Sequence, residues 1–149
     1  MRTYFLLVFL AVWVLACPVA ADKNPAGIST VAGKISFTET DGQRFISHKG
    51  KILYTGGDRL EIFRFFRLKG FDAILVRDFI GPIACPVRFV FFGLRRGGPH
   101  HISRPFGNCD DKPEISVKKQ EIIIKFHAFG SQPAEVWVFD GQELHNQAQ

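Results

Sequence analysis

Several kinds of residue and motif are scarce or missing in this sequence, and each gap removes a class of protein. Its 149 residues include three cysteines, one methionine and two tryptophans. No Cys-x-x-Cys occurs, and neither Cys85 nor Cys109 precedes helix-forming sequence, which excludes a redox-active pair of the strand-to-helix kind. No serine lies in Gly-x-Ser-x-Gly or in another arrangement that marks a nucleophile beside a base, which excludes a serine hydrolase of that design. No apolar run reaches the roughly 20 residues that a membrane-spanning helix needs. No stretch reads as an amphipathic helix, and there is no internal repeat, low-complexity tract or interdomain linker.

Charge is modest and dispersed. The formal net charge is +5, from 19 Lys and Arg against 14 Asp and Glu. Nucleic-acid binding calls for a concentrated basic face with base-reading or stacking partners, so nucleic acid is not an expected ligand. Acidic proteins and anionic surfaces stay open as partners.

What is present begins with an export signal. Arg2 precedes an unbroken apolar run over 5–16, followed by Pro18 and the small residues Val19, Ala20 and Ala21. This is the three-part layout of a secretory signal peptide, with Val19 and Ala21 at the two positions read by the peptidase. The expected division is a signal over 1–21 and one domain over 22–149, with a periplasmic or secreted address. Val14-Leu15-Ala16-Cys17 also matches a lipobox, in which Cys17 carries lipid and tethers the domain to a membrane; Pro18 directly after the cysteine argues against it. The expected domain keeps two cysteines, Cys85 and Cys109, and an even count in an oxidising compartment points to one disulfide.

The pattern of that domain is β. Turn signals recur at short intervals, among them Asp41-Gly42, Lys49-Gly50, Lys69-Gly70, Arg95-Arg96-Gly97-Gly98, Lys118-Lys119 and Asp140-Gly141. Asp41-Gly42 and Asp140-Gly141 read as two-residue hairpin turns, which need positive φ at both central positions. Residues 33–38 alternate apolar Ile35 and Phe37 with polar neighbours, as a strand with one buried face does. Residues 87–92 and 136–139 are apolar on both faces and predict central strands covered on each side. Residues 58–68 fit either a short helix capped by Asp58 or a strand lined with arginines, and the phenylalanines and isoleucine favour the strand. The expected fold is all-β, an antiparallel meander forming a small sandwich or barrel with one disulfide. Residues 22–27 and 146–149 are expected to be loose.

Candidate chemistry is sparse. Glu61, Asp72, Asp78, Glu121 and Glu135 could supply a carboxylate pair for glycoside cleavage only if the fold set two of them at the right separation. His48, His127 and His145 are isolated and read as surface or satisfied core residues. The densest cluster runs from Arg95 to Asp111. His100, His101, Asp110 and Asp111 are residue types that hold zinc or copper, but adjacent histidines on a regular strand point to opposite faces, so no metal or cofactor is expected. The same cluster reads better as a binding edge, with Arg95, Arg96, His100, His101 and Arg104 along a loop anchored by Cys109.

Ala84-Cys85-Pro86-Val87-Arg88-Phe89-Val90, followed by Phe106-Gly107-Asn108-Cys109, resembles a pattern of small uncharacterised periplasmic proteins of Gram-negative bacteria. That pattern has Ala-Cys-Pro before a strand and Phe-Gly-x-Cys-x-Asp after it, with Asp111 at the place of its aspartate. The resemblance implies a periplasmic β domain with this disulfide and brings no activity. In size, signal and disulfide the chain is also similar to periplasmic lysozyme inhibitors and to immunity proteins that neutralise wall-degrading toxins. The expectation is a non-enzymatic binding protein with a protein partner in the envelope, as an inhibitor or immunity protein. The alternatives are a structural or assembly component of the envelope and a metal-binding periplasmic protein.

Overall fold

The computed structural model describes residues 27–81 and 84–147. The expected signal peptide and Cys17 lie outside the described residues. Twelve strands form three four-stranded antiparallel sheets, each a meander from one contiguous stretch of chain. The first sheet holds β1 (Gly27–Thr30), β2 (Gly33–Thr40), β3 (Gln43–His48) and β4 (Lys51–Thr55). The second holds β5 (Arg59–Leu68), β6 (Phe71–Phe79), β7 (Val87–Arg95) and β8 (Gly98–Ile102). The third holds β9 (Glu114–Lys118), β10 (Glu121–Phe126), β11 (Glu135–Phe139) and β12 (Leu144–Asn146). The expected all-β meander with one disulfide is what forms, as stacked open sheets; among the described residues no barrel closes.

The second sheet is the middle layer, because the pleat of β6 and β7 sends alternate residues into two different cores. Ala73, Leu75, Phe89 and Phe91 join Ile122, Ile124, Phe126 and Phe139 of the third sheet. Ile74, Val76, Val90, Phe92 and Leu94 join Ile35 and Ile46 of the first. Every residue from Phe71 to Val76 is buried. The run 87–92 is therefore a strand covered on both faces, as its composition predicts.

The run 136–139 is not. It forms β11 inside an outer sheet, where Trp137 and Phe139 face the core. Val136 and Val138 face the other way, paired across to Lys125 and Ile123. Val138 is buried all the same, with Ile123 and His145 as its cross-strand partners on that outward face. Residues 59–68 are strand β5, the preferred of the two readings. Gly27 pairs with Ser36 and Asn146 with Trp137, so both belong to strands instead of loose termini.

The turns divide in the same way. Asp41 and Gly42 both have positive φ, 52° and 76°, the primed hairpin turn expected there. Between β11 and β12 only Gly141 does. That connection spans 140–143 and is closed by the Asp140 carboxylate, which accepts from the backbone N–H of Gln142 and Glu143 at 2.8 and 3.0 Å. An aspartate that bonds its own turn makes a wider loop competitive with the two-residue one.

Two buried carboxylates tie the first sheet to the second. Asp78 is fully buried and accepts from Tyr54 Oη at 2.6 Å, Gly57 N at 2.8 Å and Arg88 Nε at 3.0 Å. Asp72 accepts from Val31 N at 2.6 Å. They stand six residues apart on β6, about 20 Å at strand rise, too far to share a glycosidic bond. Glu61 is paired with Arg59 and Arg77, and Glu135 accepts from the Trp137 indole.

Candidate functional site

Meandering strands place successive turns at alternate ends of a sheet. Six connections therefore meet at one end of the molecule: 31–32 and 49–50 from the first sheet, 69–70 and 96–97 from the second, 119–120 and 140–143 from the third. Contacts between sheets bind them together. Lys69 N donates to Gln120 Oε1 at 2.8 Å, and Arg95 Nη2 donates to the Gly141 carbonyl at 2.6 Å. The Asp72 bond to Val31 N belongs to this end as well.

Four of the six turns carry cations at or beside their tips: Lys49, Lys69, Arg95 with Arg96, and Lys118 with Lys119, all exposed. None has a carboxylate within 4.0 Å among the described residues. The arginines that do form ion pairs, Arg44, Arg59, Arg77 and Arg88, lie toward the other end. The acidic groups near the basic end are Glu121, Asp140, Glu143 and Asp72. Asp140 is committed to its own turn, and the two backbone bonds from Glu143 and Gln142 hold its carboxyl below the usual carboxylate range. Among the tips lies a cleft of about 560 Å³ lined by Val31, Leu68, Phe71, Asp72, Arg95 and Arg96. A cleft walled by Val31, Leu68 and Phe71 with Arg95 and Arg96 at its side, at an end that also carries Lys49, Lys69 and Lys119, suits a partner that brings an apolar side chain and carboxylates together.

The five residues of the expected binding edge do not form one loop. Arg95 ends β7, residues 96–97 are the hairpin tip, His100 and His101 lie on β8, and Arg104 lies in the segment after it, while Cys109 comes further along that segment, away from Arg95 and Arg96. A rigid β hairpin does the positioning that the disulfide was expected to do. Arg95 and Arg96 line the cleft at the turn end. His101 and Arg104 line a second pocket, described below. His100 sits between, its Nε2 3.2 Å from the Gly141 carbonyl.

The histidines also depart from simple alternation. Gly93 pairs with His101 and Leu94 with Pro99, so His100 is the extra residue of a β-bulge. The bulge brings both rings against Phe139, with centroids 6.1 and 5.6 Å away. Gly93 makes room for this, since a Cβ there would stand 2.8 Å from the His100 ring and 2.9 Å from Phe139. Burial lowers the pKa of both histidines; at His100 the neighbouring Arg95 adds to it, and at His101 Glu143 and Asp140 oppose it.

Among the described residues no group of three or more His, Cys, Asp or Glu is arranged to hold a metal ion. Asp110 instead accepts from the backbone N and ring Nδ1 of His127, both at 2.9 Å, while His127 Nε2 stands 3.3 Å from Glu114. Bonds to Asp110 and then Glu114 raise the pKa of His127. At Asp110 burial acts upward, but the bonds from His127 and Lys112 outweigh it and hold the carboxyl low. Sequence reading set His127 aside as isolated because its partners are 17 and 13 residues away. Cys85 and Cys109 form the expected disulfide, joining the connection before β7 to the one after β8. Comparison of the chain with known families, curated proteins and solved structures finds no match among any of them.

Proposed function

We propose that this chain is an exported binding protein that docks an acidic protein of the cell envelope through its basic turn end, acting as an inhibitor or immunity protein against an envelope-acting enzyme or toxin. One observation carries the reading: turns of all three sheets bring Lys49, Lys69, Arg96 and Lys119, none with a carboxylate within 4.0 Å among the described residues, to the end of the molecule that holds a largely apolar cleft with Arg96 on its wall. Cations left without partners speed the encounter with an acidic surface, and an apolar recess accepts the buried side chain that dominates the energy of most interfaces. The disulfide fits an oxidising compartment, and the Ala-Cys-Pro and Phe-Gly-x-Cys-x-Asp resemblance favours the periplasm.

The test uses two charge-reversed variants. Lys49→Glu/Arg96→Glu/Lys119→Glu alters the basic end, and Lys112→Glu/Lys125→Glu alters the opposite one. Wild type and the second variant should retain the same partner from an envelope extract at low salt and release it at about 0.5 M, where the Debye length is roughly 4 Å. The triple variant should retain none. Equal retention by the triple variant, or retention indifferent to salt, would contradict the proposal.

A further inference from the structure

A second recess lies on a different part of the molecule, and the turn-end reading does not draw on it. It has a volume of about 330 Å³ and is walled by His101 of β8, Arg104 and Phe106 of the following segment, Trp137 of β11 and Leu144 of β12. Small-molecule sites begin at about this size. Its aromatic wall is built firmly. Phe106 stands 4.9 Å from Trp137 and 5.9 Å from Phe126 between ring centroids. The segment carrying Phe106 is held by backbone bonds in both directions with Phe89, each 2.9 Å, and by Ser103 Oγ accepting from Phe91 N at 2.9 Å.

The polar groups of the recess are not consumed by the fold. Arg104 is exposed and has no carboxylate within 4.0 Å among the described residues. His101 Nε2 is buried and has no hydrogen-bond partner there. Buried polar atoms without a partner are rare in folded proteins, and an apolar ring in that place would avoid the cost. The indole N–H of Trp137 is already bonded to Glu135, so Trp137 offers its ring face. Charge is graded across the recess. Glu143 and Asp140 act on the His101 side, and Arg104 is the cation among the lining residues.

We propose that this recess binds a small apolar carboxylate, its aromatic or branched body against Phe106, Trp137 and Leu144 and its carboxylate on the Arg104 guanidinium. The grading of charge sets the orientation, since an anion is repelled from the Glu143 side and attracted to the Arg104 side. Arginine suits the task because its planar fork takes a carboxylate through two bonds.

The experiment uses 3-phenylpropionate as probe and 3-phenylpropanol as its neutral counterpart, titrated into the purified exported protein with Trp137 fluorescence and calorimetry as readouts. The expected result is saturable binding of the carboxylate. The alcohol and the Arg104→Gln variant should each bind about tenfold more weakly, the scale of one charge-assisted hydrogen bond. Leu144→Trp, which fills the recess, should abolish binding while Arg64→Gln leaves it unchanged, with circular dichroism confirming that each variant folds. No saturable binding below about 10 mM, equal binding of the alcohol, or an Arg104→Gln variant that binds like wild type would each overturn the proposal. None of these outcomes depends on the turn end.

Discussion

Arg95 reaches out of the β7–β8 hairpin to the carbonyl of Gly141, 2.6 Å away in the β11–β12 connection, and so pins hairpins of two different sheets side by side. Its neighbour Arg96 makes no such bond among the described residues and lines the cleft with its charge free. Two adjacent arginines thus have different work. Arg95→Gln should lower stability by about 1 kcal/mol, a part-buried charge-assisted bond being worth less than a fully buried one. Arg96→Gln should leave stability within about 0.5 kcal/mol of wild type. Urea denaturation of the two variants measures the difference.

Asp78 carries a sharper structural prediction. Its carboxylate takes three donors in a fully buried position. Asp78→Ala should cost about 3 kcal/mol, because the Tyr54 hydroxyl, the Gly57 N–H and the Arg88 guanidinium all lose their acceptor. Tyr54→Phe removes one donor and should cost about 1.5 kcal/mol. Chemical denaturation should rank the two in that order.

Acidity acts on the two groups of histidines with opposite sign. His127 is raised by Asp110 and Glu114, so its pairing contributes fully below the ordinary histidine value, about 6.5, and is lost as pH rises through the higher folded value. Asp110 is lowered, so its contribution is present above the ordinary aspartate value and is lost as pH falls through the depressed one. His100 and His101 are lowered, so acidification below the ordinary histidine value must charge them and weakens the fold. The melting temperature of wild type minus that of His127→Gln should therefore shrink from pH 6 to pH 8. A difference that grows over that range would contradict the pairing.

The Cys85–Cys109 bridge spans a sequence separation of 24. Closing a loop of that length stabilises a fold by about 3 kcal/mol on the chain-entropy account. A Cys85→Ser/Cys109→Ser variant should melt well below wild type. Mass spectrometry without reductant should find the native chain two hydrogens lighter than its reduced form.

Local signals carried the architecture well where one strand's own pattern decided the matter. Ile35 and Phe37 alternate and face inward, Asp41-Gly42 makes its primed turn, and the phenylalanine-rich segment after Asp58 is a strand. Runs apolar on both faces were less informative. Residues 87–92 and 136–139 look alike as strings, yet one lies between two sheets and the other in an outer sheet, a difference set by which hairpins stack. The bulge at His100 depends on Gly93 in the neighbouring strand, and no pattern within β8 reveals it. The candidate sites were legible only in part. Arg95 and Arg96 stand out as a pair, but Lys49, Lys69 and Lys119 each read as an ordinary turn residue. They become one surface because the meanders bring alternate turns to the same end. Trp137 gave no sign of lying beside Arg104, since 33 positions separate them.

The most direct test of the central claim, that the basic turn end is the docking surface, is site-specific photo-crosslinking in living cells. A photoreactive amino acid in place of Arg96 should give one defined protein adduct, and Lys49→Glu/Lys119→Glu in the same chain should remove it. The same photoreactive residue in place of Lys112, toward the opposite end, should give none. An adduct from the Lys112 position equal to that from Arg96, or no adduct from Arg96 at all, would contradict the account.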